Sequence, residues 1–248
     1  MKIIAIYHNK GGVGKTTTAV NLSYLAAKDG LKTLLCDLDP QSSSTFYFRI
    51  KPKFKSGVKG FIKGGKNLEK NIKGTDYPNL DLLPGDLTFR HFENRLAADN
   101  KPDRRLLKIL HSLDTDYDII FLDCPPNISL VAENVFVAAD LILTPLIPTP
   151  LSTRSFEQIN KLLKNRRKKL NKLVAFFSMA EQRKTLHRDT IKSFFRDNKQ
   201  VLKSIIPYRS DVEKMGVHRA PLPVFAPRSS AAKAFESLWK EVKSKLFD

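Results

Sequence analysis

One stretch near the amino terminus restricts what this chain can fold into: Asn9-Lys10-Gly11-Gly12-Val13-Gly14-Lys15-Thr16-Thr17. It follows an apolar run, Ile3 to Tyr7, that reads as a buried strand, and it precedes Thr18 to Ala27, which reads as a helix. Strand, glycine-rich loop and helix in that order make a phosphate-binding turn. Gly11, Gly12 and Gly14 let the backbone turn sharply and approach an anion closely. Successive N–H groups, including those of Val13 and Thr17, then converge on the phosphates at the start of the helix. Lys15 is expected to reach the β- and γ-phosphates and the Thr16 hydroxyl to bind magnesium. Asn9 stands where the general pattern has a glycine, and Lys10 adds a lysine that pattern does not require.

Two further stretches supply carboxylates. Leu31 to Asp37 reads as a second strand after a helix stop at Gly30, and it runs into Asp37-Leu38-Asp39-Pro40-Gln41. Acids at the carboxyl end of a strand beside the glycine loop lie where ligands bind in open α/β sheets. Tyr117 to Asp123 is an apolar strand that ends in an aspartate and is stopped by Pro125 and Pro126. Asp123 is thereby presented to a magnesium shell. The remaining pattern alternates. Strands are expected near 80–83, 140–145, 173–179 and 201–206, and helices near 87–98, 104–113, 151–165, 188–197 and from 229 to the end. That order argues an α/β fold with a mostly parallel twisted sheet and helices on both faces, residues 1–248 forming one domain.

Charge narrows the partners. The 248 residues carry a formal net charge of +18, which favours a polyanion, either nucleic acid or an acidic membrane surface. Lysines crowd residues 50–66, read as a basic loop or small excursion, and again 165–172, read as a helix C-terminus. Cys36 and Cys124 each sit in an apolar run and read as core fillers, which fits a reducing compartment. No signal-peptide pattern or membrane-span length is visible, so a cytoplasmic protein is expected. The last helix spaces Phe235, Leu238, Trp239, Val242 and Leu246 along one face, as a core helix does and as an amphipathic membrane anchor also would.

The segments K-G-G-V-G-K-T-T, D-L-D-P-Q and D-C-P-P occur in this order, and the chain resembles the ParA/Soj-type partition ATPases of the deviant Walker A (ParA/MinD) family. The resemblance implies a deviant P-loop NTPase that uses ATP and Mg2+ and forms homodimers with ATP. It assigns Lys10 to the partner's nucleotide, Lys15 to the phosphates, and Asp39 to the attacking water and the metal shell with Thr16 and Asp123. It puts Met179 and Pro207 beside the adenine. It also implies non-specific DNA binding on the nucleoid and a ParB-like or other adaptor that stimulates hydrolysis. Arg183 falls on one family DNA-contact position. At the second the family has P-R-N-V-R, whereas this chain has Pro207-Tyr208-Arg209-Ser210-Asp211, so Arg209 or Lys214 is expected to substitute. The short form is expected, because the loop opens at the tenth residue and leaves no room for an N-terminal DNA-reading domain. The alternative is a MinD-like or compartment-positioning ATPase that uses a membrane or an adaptor protein as its matrix. An iron–sulfur-coupled ATPase of the nitrogenase type lacks cysteine spacing here.

Overall fold

Alternation along the central strands builds two apolar layers on one sheet. In β1 (Lys2–Ile6) and the residue after it, Ile3, Ala5 and Tyr7 face one core and Ile4 and Ile6 the other. The computed structural model describes residues 1–99, 102–165 and 173–247. Within them the chain runs α1 (Lys15–Lys28), β2 (Thr33–Asp37), α2 (Ser43–Tyr47), α3 (Gly57–Lys63), α4 (Lys66–Glu69), β3 (Lys73–Gly74), β4 (Leu80–Leu83) and α5 (Phe92–Ala97). There follow α6 (Arg105–His111), β5 (Ile119–Asp123), α7 (Leu130–Ala138), β6 (Leu141–Leu146), α8 (Pro150–Asn165), β7 (Leu173–Ala180) and α9 (Thr185–Asp197). The chain then continues through β8 (Val201–Pro207), α10 (Ser210–Glu213), α11 (Met215–His218), α12 (Leu222–Phe225) and α13 (Ser230–Phe247).

The sheet order is β3-β4-β2-β5-β1-β6-β7-β8. Every pairing is parallel except β3 with β4. Parallel strands need covered crossovers, and the covering helices fall on both faces as expected. Helices α1 and α13 close one face through Val20, Leu22, Phe235, Leu238 and Trp239. The other face is closed by the elements from α3 to α9, including Phe61, Leu106, Val135, Phe156 and Phe194. Gly30 ends α1 at φ 89, with its N–H on the Ala27 carbonyl and that of Leu31 on the Ala26 carbonyl. Cys36 and Cys124 are free and buried, as their apolar neighbours imply.

Several elements differ from the sequence reading. Residues 50–66 are not only loop: α3 and the start of α4 lie there, anchored by Phe54 and Phe61 packed against Phe89 and Phe92. Their lysines hide an apolar set too sparse to show a period. The expected helix 87–98 is a 3-10 turn (Leu87–His91) followed by α5. Helices α2, α7 and α10 to α12 were not expected. The first and the last three have 4 or 5 residues each, below the length at which a helical period can be read. The membrane-anchor reading of α13 does not hold for its apolar face: Phe235, Leu238, Trp239 and Val242 are buried in the core and Leu246 packs against it. Among the described residues no helix is long and apolar enough to cross a membrane. The basic cluster at 166–172 lies outside the described residues.

Candidate functional site

Register brings the three sequence segments to one level. Ile6, which precedes the glycine loop, is paired with Asp123, and Asp123 with Asp37. Strand β1 lies between β5 and β6, so the chain leaves it toward one edge and returns on its other side. A crevice at the carboxyl ends of the strands opens at such a reversal.

The loop adopts an anion-cradle geometry. Gly12 and Gly14 have φ of 72 and 92, conformations that L side chains rarely adopt. A Cβ on Gly14 would also lie 3.0 Å from the Ser178 Oγ. Around Gly11 and Gly12 a Cβ would meet nothing within 4 Å, so the loop faces open space. Gly14 offers no side-chain cap to α1, and the N–H groups of the first turn remain available to a ligand. Lys15 is buried, and its Nζ donates to the Lys10 carbonyl at 3.0 Å. Burial lowers its pKa, opposed chiefly by Asp123. Lys10 instead sends its Nζ to the Leu151 carbonyl at 3.2 Å, at the start of α8.

His8 holds the base of this loop. Its ring is fully buried, and Nδ1 accepts the Lys10 N–H at 2.9 Å. Burial, then Lys15 and Lys10, push its pKa down to about 4, so the imidazole is neutral. Nothing in the sequence reading singled out His8, since a lone histidine beside a strand carries no spacing.

The carboxylates divide into two kinds. Asp123 is fully buried. The Ser44 hydroxyl donates to its Oδ2 at 2.7 Å, the Thr16 side chain lies near enough to lower its pKa, and its Oδ1 has no hydrogen-bond partner. Desolvation raises its pKa. Asp37 is buried too, but Oδ2 takes both the N–H and the hydroxyl of Thr45, at 2.8 and 2.7 Å. Its pKa is raised by burial and then by Asp123. Asp37 therefore braces the turn, and Gly85 joins it through the Thr45 hydroxyl. Asp39 is only partly buried, and its Oδ1 accepts the Gln41 N–H at 2.9 Å. Ser44 is a site residue that the sequence reading did not name; its signal is the hydroxyl run that follows Pro40. An orphaned buried carboxylate oxygen with the Thr16 hydroxyl beside it suits a hard divalent cation. Among the described residues no cluster of three His, Cys, Asp or Glu can hold a metal by itself.

Met179 and Pro207 meet behind the loop. With Gly14, Thr17, Ser178, Ile206 and Phe235 they line a narrow cavity of about 80 Å³. Met179 sits at φ 54, a strained position for a non-glycine residue and common at ligand clamps. Arg183 and Arg209, from different strand ends, line one larger cleft of about 570 Å³ with Tyr208 and Ser230. Arg183 is exposed, and Arg209 Nε reaches the Ser230 Oγ at 3.3 Å. Lys214 does not line that cleft; it lies 3.7 Å from Asp211, the acid at the diverged position.

A model of the AAA domain family matches residues 1–176. The sporulation initiation inhibitor protein Soj of Bacillus subtilis is 32% identical over 97% of this chain and 98% of its own. A plasmid partition protein of Borrelia burgdorferi, solved bound to AMPPNP, superposes with a TM-score of 0.85 at 25% identity, covering 99% of both chains. The cell division ATPase MinD of Pyrococcus furiosus has a TM-score of 0.78 at 24% identity, covering 98% of each chain, and so shares the fold.

Proposed function

The chain belongs to the ParA/Soj family of AAA-domain ATPases, and from that premise we propose that it is a partition ATPase that dimerises with ATP and binds DNA without sequence preference. The observation that carries this reading is the loop with two lysines beside an orphaned Asp123 oxygen. In this reading the glycine-loop N–H groups and Lys15 hold the triphosphate. Thr16 and Asp123 would hold Mg2+, with Asp39 as a further carboxylate of its shell. Bound Mg2+ would neutralise phosphate charge, and Asp39 orients the water that cleaves ATP to ADP and phosphate. Lys10 leaves Leu151 to meet the nucleotide of a second subunit. Met179 and Pro207 flank the adenine. Arg183 and Arg209 share a cleft and supply phosphate contacts, with Lys214 a weaker choice because Asp211 screens it. A ParB-like or adaptor protein stimulates turnover, and the protein acts on the nucleoid in the cytoplasm.

The alternative matrix is a membrane, as for a MinD-like positioning ATPase. The buried apolar face of α13 removes the obvious anchor and favours DNA. Co-sedimentation with mixed-sequence duplex and with anionic vesicles, each with and without ATP, tests the choice. Asp39→Ala should remain on the duplex once ATP is added, because the cradle is intact and hydrolysis is lost. Binding to vesicles alone would reverse the assignment.

A further inference from the structure

The excursion between β2 and β4 carries a charge pattern that the nucleotide site and the arginine cleft leave unused. Lys51, Lys53, Lys55, Lys59, Lys63 and Lys66 are all exposed, with no acid between them in sequence. None forms an ion pair among the described residues. The segment is nevertheless held in place. The Phe54 N–H goes to Asp86 at 2.9 Å and the Val58 N–H to the Thr88 hydroxyl at 2.8 Å. Phe54 and Phe61 lie inside the core. Lys59 and Lys63 are four residues apart on α3 and so share one side of it. The Arg105 guanidinium bonds the Ile62 carbonyl at 3.1 and 2.7 Å and docks α6 beside α3. Arg104, just before α6, and Lys108 on it extend the basic surface around a hollow of about 700 Å³ that Asp99, paired with Arg105, also lines.

We propose that this face is a second binding surface for the phosphate backbone of duplex nucleic acid, open in the single subunit and independent of ATP. Three observations select that partner. The cations are mostly lysines, which act as point charges and read phosphate without reading bases. None of the large exposed apolar residues of the chain lies between residues 50 and 73 or on α6, so the face has nothing to insert into a bilayer. Its phenylalanines are locked inside, so no aromatic is free to stack on an unpaired base. The surface is also separate from the arginine cleft. Six strand spacings divide β4 from β8, roughly 29 Å at about 4.8 Å each. One subunit can therefore touch two duplex segments, and a subunit that has lost ATP keeps a weak hold on DNA. The inference goes beyond the ATP-dependent reading and does not require it.

The test is a salt titration of a mixed-sequence duplex against the chain without nucleotide. Changing the six lysines to Gln together should make the salt slope shallower by about 2–4, at about 0.9 per phosphate contact. A control lacks six exposed lysines elsewhere (Lys28, Lys32, Lys161, Lys199, Lys240 and Lys245 to Gln) and should change it by less than about 1. Equal urea midpoints establish that the variants are folded, and the smaller change Lys59→Gln with Lys63→Gln should move the slope in the same direction. The pair Arg183→Glu and Arg209→Glu should keep the nucleotide-free binding and lose the ATP-dependent part. Absence of ATP-dependent binding, with lysine-dependent binding retained, would overturn the partition reading and leave this surface standing. Equal slopes in the two six-lysine variants, no nucleotide-free binding, or binding to anionic vesicles in preference to duplex would each overturn the surface.

Discussion

At the scale of single residues, two lysines of one loop sit in different environments. Lys15 is buried against the Lys10 carbonyl and cannot leave without opening the loop. Lys10 is tethered by one exposed hydrogen bond to Leu151, worth about 0.5–1.5 kcal/mol, which a phosphate easily outbids. Lys15→Ala should weaken ATP binding by about 10–100-fold, the loss of a charge-assisted contact. Lys10→Ala should bind nucleotide as the unaltered chain does and stay monomeric. Equilibrium binding and sedimentation with a slowly hydrolysed ATP analogue measure the two, and a Lys10→Ala dimer would contradict the assignment. His8 gives a pH prediction. Its folded pKa of about 4 lies below the ordinary 6.5, so the unfolded chain takes up the proton first as pH falls. Stability linked to His8 is full above pH 6.5 and declines to pH 4 by about 3 kcal/mol. Asp37 and Asp123 have raised values and act with the opposite sign. Urea unfolding of His8→Asn against the unaltered chain isolates the histidine. Curves of equal pH dependence would show that His8 is not the group responsible.

At the scale of elements, α13 answers a question that its pattern left open. Trp239 is buried against Phe121 of the sheet, and its indole N–H donates to Asp29 after α1 at 2.8 Å. The helix also guards an edge, since Glu241 accepts the N–H groups of Lys203 and Ser204 on β8, both at 2.7 Å. That leaves fewer free donors on the outermost strand to template pairing with another chain. Trp239→Ala should cost about 3–5 kcal/mol in stability, the range for truncating a large buried aromatic. Binding to anionic vesicles should not change. Chemical denaturation and vesicle sedimentation separate the two roles, and a folded variant that alone fails on vesicles would restore the anchor reading. A smaller link joins α1 to the segment after β8: Asn21 donates to the Thr17 carbonyl and accepts the Leu222 N–H at 2.8 Å each. The loop helix α1 and the start of α12 are thereby tied together.

For the whole molecule, net charge decides how association depends on conditions. In the proposed dimer two subunits of +18 would repel each other at close range, and the phosphates of ATP would offset part of that repulsion. Contact with DNA releases counterions, so affinity should fall steeply with salt and rise when a dimer doubles the contacts. Arg183→Glu should weaken two unrelated duplexes equally and leave ATP-dependent dimerisation intact, because phosphate contacts position without specifying. Titration of both duplexes over a range of salt checks this. A strong preference between duplexes, or unchanged binding, would remove the arginine cleft from the interaction.

What the sequence determined by itself was the class of fold and the three segments around its crevice. A glycine loop between an apolar strand and a helix, and two strands that end in acids, are local patterns whose chemistry needs no distant partner to be read. Tertiary structure decided the rest. Asp37 and Asp39 are both aspartates and two residues apart, yet the Thr45 bonds hold only the first inward. Ser44 and His8 acquire their partners from segments distant in sequence or from a loop conformation that only the folded glycines allow. The apolar stripe of α13 serves a core or a membrane equally well as a pattern, and only the sheet beneath it settles which. Arg183 and Arg209 stand 26 positions apart and share a cleft because β7 and β8 are neighbours. Short helices such as α2 and α10 carry too few turns to announce themselves, because their stability comes from the contacts made after the chain has closed.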